Sequence, residues 1–139
     1  MRNNYVLGLN FLHSDTSACI FKDGVLLAAT EEERFSRIKH VSLFPSKSIE
    51  FCLAEADIDL SEVNVISINS NPFSSITRKV IYTLKNFKRM NLAFSSLKNI
   101  KEKYSLRDYI SRIDSNKKFN GKIKYIDHHE SHIASSLYF

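Results

Sequence analysis

The chain has 139 residues, enough for one compact domain or for a piece of a larger one. Its 43% apolar and 25% charged residues exclude wholesale disorder, and three Gly with two Pro exclude collagen-like or linker sequence. Two cysteines exclude a disulfide scaffold, and no apolar run is long enough for a transmembrane helix or a secretory signal; a cytoplasmic protein of net charge +5 is expected, with Cys19 and Cys52 reduced and in the core.

Tyr5–Asn10 is a short, nearly continuous apolar run that predicts a buried strand. Ser17–Lys22 and Val25–Thr30 predict two more, separated by Asp23-Gly24, a strong signal for a type I′ hairpin turn. The polar loop between the first two strands, Phe11–Thr16, carries His13, Ser14, Asp15 and Thr16, and short polar loops at strand ends are where ligands are bound. Glu31–His40 is dense in mixed charge. It is expected as an exposed connection, with its glutamates solvated or paired to Arg34 and Arg37; a surface for a polar ligand is the other reading. Pro45 and Ser46 open a helix with Ile49, Cys52, Leu53 and Ala56 on one face, and Asp57–Glu62 breaks it. Val63–Asn69 alternates as a fourth strand, and Asn71-Pro72 closes the unit.

The middle reads as helical and basic. Ile76, Val80, Leu84 and Phe87 share one helix face, as do Leu106, Tyr109, Ile110 and Ile113, with a less regular stretch at Asn91–Tyr104. From Arg78 to Lys124, fourteen Lys and Arg stand against Glu102, Asp108 and Asp114, while the remainder holds six basic and twelve acidic residues. Such a block can bind nucleic acid or a phosphorylated ligand. No nucleic-acid module accompanies it, and Phe87, Phe94, Tyr104 and Tyr109 are few aromatics for base stacking, so a solvated helical surface is the expectation. An Asn120-Gly121 turn then leads into a fifth short strand, Lys122–Ile126. Asp127 fits a helix N-cap, with Glu130 three residues on completing an acidic form of the capping box, so a helix is expected from His128. That places His128 and His132 at i and i+4 on one face, within reach of one metal ion, with His129 about 100° away. Neutral imidazole is a common metal ligand. Spacing alone leaves two readings, a metal pair or ordinary helix-start residues. The pattern is not the His-Glu-x-x-His of metalloproteases, because Glu130 precedes His132 by two residues.

Four stretches carry a family likeness: Leu7-Gly8-Leu9-Asn10; His13-Ser14-Asp15-Thr16-Ser17-Ala18-Cys19; Glu31-Glu32-Glu33-Arg34-Phe35-Ser36-Arg37-Ile38-Lys39-His40 with Phe44-Pro45; and Asp127-His128-His129-Glu130-Ser131-His132-Ile133-Ala134-Ser135-Ser136. Together they resemble the amino-terminal region of the nodulation-type carbamoyltransferases, bacterial enzymes that carbamoylate hydroxyls of sugars, antibiotics and nodulation factors. About Ser70 to Lys118 carries little of the likeness.

The resemblance implies an α/β fold, the first half of an actin-like ATPase (ribonuclease H-like) module with a mixed sheet and flanking helices. Residues 1–139 would be a partial domain: strand-rich over 1–70, helical and basic over 71–119, and a strand plus metal helix over 120–139. It implies transfer of a carbamoyl group from carbamoyl-adenylate, made from carbamoyl phosphate and ATP, to a small-molecule hydroxyl acceptor. His128 and His132 would hold a divalent metal, iron by the resemblance, and His13 would act as base, although a loop histidine bonded to local backbone is the plainer reading. Asp15 would face the nucleotide or metal, and Arg34, Arg37, Lys39 and His40 the carbamoyl-adenylate or the acceptor. The resemblance also implies a C-terminal half and an adenylate-forming domain, without which the chain is expected to be inactive. A nucleotide- or RNA-binding remnant and half of a kinase-like actin-fold ATPase are the alternatives. The first loop lacks the glycine-rich Asp-x-Gly pattern of the latter.

Overall fold

The computed structural model describes residues 3–11, 15–40, 44–69, 110 and 119–137. The helices expected in the basic segment, Ile110 apart, and the proposed base His13 lie outside the described residues.

β1 (Tyr5–Asn10), β2 (Ser17–Lys22) and β3 (Val25–Glu31) form the expected antiparallel meander. Its second turn places Asp23 at φ 50° and Gly24 at φ 87°, the two left-handed residues of a type I′ turn. Asn4 reinforces it, its N–H donating to Asp23 Oδ1 at 2.9 Å and its carbonyl accepting the Asp23 N–H at 3.0 Å. The chain then makes a short helix α1 (Glu33–Ser36) and the amphipathic helix α2 (Ser46–Glu55), which packs on β2 and β3. Asp57, at φ 51°, ends α2, and Asp59 and Glu62 close a capping box on the 3-10 turn Leu60–Glu62. β4 (Val65–Ile68) returns parallel to β1, and β5 (Lys122–Tyr125) lies parallel to β4, giving the order β3-β2-β1-β4-β5. Helix α3 (His128–Leu137) follows β5.

Strand alternation divides this mixed α/β sheet into two unlike faces. Tyr5, Leu7, Leu9, Ala18, Ile20, Ile66 and Ile68 are buried on one, under Ile49, Cys52 and Leu53 of α2, with Leu60, Val63 and Ile110 completing the core. Each large apolar side chain so buried contributes about 1.5–3 kcal/mol. The opposite face carries Gly8, Asn10, Ser17, Cys19 and Ser67, small or polar residues, beside the half-buried Val6, Phe21 and Val65.

Two expectations are corrected. Glu31–His40 is not an exposed connection throughout: Glu32 is only 6% exposed. It accepts the Ser48 N–H at 2.8 Å, the Ser48 hydroxyl at 2.7 Å and the Lys47 N–H at 3.3 Å, so its carboxylate caps the first turn of α2. Pro45 occupies the N-cap position and has no side-chain donor or acceptor to do this locally. The fourth strand is also shorter than Val63–Asn69, because Val63 turns into the core and Asn64 binds across strands. Asn64 Oδ1 accepts the Tyr5 N–H at 2.6 Å, and its carbonyl accepts the Lys122 N–H at 2.9 Å.

Candidate functional site

The polar face of the sheet opens into a cavity of about 830 Å³. Gly8 and Cys19, paired on adjacent strands, lie in its lining, together with Asn10, Glu31, Arg34, Ser67, Asn69 and Ser131. A Cβ on Gly8 would stand 2.7 Å from Cys19 Sγ, so any larger residue there forces the sulfur or the strand to shift. Burial pushes the Cys19 thiol above its ordinary range, against a smaller opposing effect of a backbone hydrogen bond with Gly8. Across the sheet, burial, with the charges of Cys19 and Glu55, raises the Cys52 thiol to about 12. Both cysteines are free, as expected; Cys52 is in the core, whereas Cys19 faces the cavity.

Asn10 and Asn69 stand at the carboxyl ends of the parallel strands β1 and β4, where open α/β sheets bind ligands. Asn69 Nδ2 donates to Asn10 Oδ1 at 2.8 Å, and Asn10 Nδ2 donates to the Asp15 carbonyl at 2.9 Å. Asn69 Oδ1 is buried and has no hydrogen-bond partner among the described residues. Such an acceptor costs about 1–3 kcal/mol while unsatisfied and suits a ligand with an N–H or O–H to donate. Sequence reasoning did not single out Asn69, Ser67 or Ser131; for Asn69 the available signal was a polar residue directly after a buried parallel strand.

The expected site residues separate into three groups. Asp15 and His40, 25 positions apart, meet: His40 Nδ1 lies 2.9 Å from Asp15 Oδ1. It is the sole ion pair among the described residues, so Arg34 and Arg37 do not pair with the nearby glutamates there. Arg34 reaches the cavity, Arg37 takes the left-handed position that ends α1, and Lys39 is exposed in the turn before His40.

The third group is on α3. Asp127 caps the helix, but its Oδ1 accepts the His129 N–H at 2.9 Å, one residue before the position a capping box uses. The helix starts at His128 as expected, and His128 and His132 converge, with Nε2 atoms 3.1 Å apart and rings 4.5 Å apart at 86°. Two ligands at about 2.0–2.1 Å from one ion subtend a separation of this size. Among the described residues no third His, Cys, Asp or Glu joins them in a metal-binding group. Ser131, between the two histidines in sequence, lines the cavity, so α3 borders it.

The model of the carbamoyltransferase N-terminus matches residues 5–139. The chain belongs to this family. An uncharacterized protein of Synechocystis sp. is 32% identical over 141 residues, covering 96% of this chain and 23% of that protein. The nodulation protein NolNO of Sinorhizobium fredii is 42% identical over 65 residues, 47% of this chain and 9% of its own length. An uncharacterized 19.2 kDa protein of Rhizobium etli is 40% identical over 65 residues, 47% of this chain and 37% of that protein. This carbamoyltransferase amino-terminal chain thus spans less than a quarter of the Synechocystis relative. Among its described residues no helix is long and apolar enough to cross a membrane.

Proposed function

We propose that the intact protein is a cytoplasmic, ATP-dependent O-carbamoyltransferase and that this chain supplies one side of the chamber where an alcohol takes the carbamoyl group. The observation that carries the reading is the placement of His128 and His132, nitrogens converging, on the helix that brings Ser131 to the cavity. The meander continued by two parallel strands, with a helix after the last, supports kinship with the first half of an actin-like module.

The donor set fits a divalent transition metal, with iron the choice the family likeness favours; His128 and His132 would hold it. When bound, such an ion supplies a Lewis acid for a carbonyl oxygen. The chain's own residues do the rest. Arg34 faces the cavity as a cation for an anionic leaving group, with Arg37, Lys39 and His40 on the same segment. Asn69 Oδ1 accepts a hydrogen bond from the carbamoyl amide or an acceptor hydroxyl. His13 takes the hydroxyl proton as the alcohol oxygen bonds to the carbamoyl carbon and the phosphate oxygen departs. A C-terminal half and an adenylate-forming domain complete the site.

The test compares His128→Ala, His132→Ala and His129→Ala in the intact protein. Loss of bound iron and of carbamoyl transfer in the first two, with both retained in the third, is expected. Equal metal content in all three makes the histidine cluster structural and removes the reading. This chain alone is expected to bind metal weakly, since two imidazoles leave most coordination positions open.

A further inference from the structure

We infer that Glu32 is a positioning residue: its buried carboxylate locks the start of α2 to the end of β3, and so holds segment 33–40 where His40 meets Asp15. This inference rests on the proposed function, with Asp15 and His40 facing ligand as the family resemblance implies. Glu32 occupies a junction. Its N–H donates to the Thr16 carbonyl at 2.9 Å, tying it to the loop that carries Asp15. Its carbonyl accepts the Phe35 and Ser36 N–H groups at 3.1 and 3.0 Å, which starts α1. Its carboxylate takes the three α2 donors described above.

The connection between those anchors carries Arg34, Arg37, Lys39 and His40. Two ring contacts close it further: Phe35 on Phe51, 5.9 Å between centroids, and Phe11 on Phe44, edge to face at 5.1 Å. Within it Arg37 and His40 hold φ of 59° and 56°, and Asp15 holds 64°, all in the left-handed region that ordinary residues avoid. Such backbone persists only when surrounding contacts over-determine it. The His40–Asp15 contact cannot supply that constraint alone, since the side chains are 76% and 49% exposed and exposed ion pairs contribute little. The buried, triply bonded Glu32 can. Because a carboxylate accepts, His40 Nδ1 carries the proton in this contact, and in the neutral ring Nε2 keeps its lone pair for a ligand.

The experiment is long-range proton–nitrogen NMR of the His40 ring in the 139-residue chain, with Asp15→Gly, Glu32→Gln, Ser48→Ala and Ile49→Val compared with the parent. The parent is expected to show an Nδ1-protonated ring. Asp15→Gly, which removes the acceptor and tolerates the positive φ of that position, abolishes that state, and Glu32→Gln and Ser48→Ala move it toward an averaged tautomer signal. Ile49→Val, which weakens α2 without touching the clamp, leaves it in place. The inference is overturned if Glu32→Gln and Ser48→Ala leave the His40 signals at their parent positions, if Ile49→Val shifts them equally, or if Asp15→Gly does nothing. Titration of the intact protein with AMP, as an anionic probe, tests the underlying reading separately. Absence of AMP binding with the NMR result intact removes the ligand-facing role and leaves the clamp standing.

Discussion

At the scale of single residues, Gly8 and Cys19 show how closely the cavity lining is fitted. A methyl group on residue 8 meets the sulfur at 2.7 Å, so Gly8→Ala is expected to cost about 1–3 kcal/mol, as overpacking does. In a double-mutant cycle measured by urea unfolding, Cys19→Ala should restore much of that loss; strict additivity of the two changes would place the conflict elsewhere. Cys52 makes a prediction about pH. Its folded thiol is raised from 9.0 to about 12, so above pH 9 the unfolded chain releases a proton that the folded chain retains. Its contribution is complete below pH 9 and is lost as pH climbs through 9 to 12, by up to about 1.4 kcal/mol per pH unit. The melting temperature should therefore fall more steeply between pH 9 and pH 11 in the parent than in Cys52→Ala; parallel curves would contradict the assignment.

At the scale of elements, the Asp23-Gly24 hairpin and the Ile49, Cys52, Leu53 face were legible because each depends on local chemistry alone. Gly24→Ala, at φ 87° and with open space around the new methyl, tests the hairpin cleanly. The expected loss is about 1 kcal/mol by thermal or urea melting, from backbone strain only. The same locality explains the convergence of His128 and His132, since an i, i+4 pair needs only a helix start, and Asp127 supplies one. Glu32 was not legible. Three consecutive glutamates look solvated in one dimension, and their distinction arises only when α2 folds back with Pro45 in its N-cap position and needs an acceptor from elsewhere. The Asp15–His40 contact and the Asn10–Asn69 pair were hidden for the same reason: both join segments far apart in sequence. Glu32→Ala is expected to cost more than Glu33→Ala, by about 1–3 kcal/mol, because it leaves buried α2 donors unsatisfied. Equal melting temperatures for the two variants would show that the carboxylate contributes no net stability.

At the scale of the whole molecule, the sheet sets one apolar face against α2 and turns the other, with Gly8, Asn10, Cys19 and Ser67, to the cavity, so the core and the cavity draw on opposite sides of the same strands. Helix α3 is attached differently: none of its described residues is buried, and Ile133 and Leu137, one turn apart, are 63% and 80% exposed. Edge strand β3 has its own consequence. In the β2–β3 ladder Phe21 pairs with Leu26 and Ile20 with Ala28, so Leu27 is skipped and the strand is bulged. Val25, Leu26 and Leu27 are all markedly exposed, a composition that in a straight strand invites copies of the chain to stack edge to edge. The extra residue breaks the even row of amide groups that such stacking requires. Removing it should straighten the ladder and convert a dispersed protein into one that forms thioflavin-positive fibrils, whereas Leu27→Lys, which keeps the extra residue and adds a charge, should resist fibril growth longer than the parent.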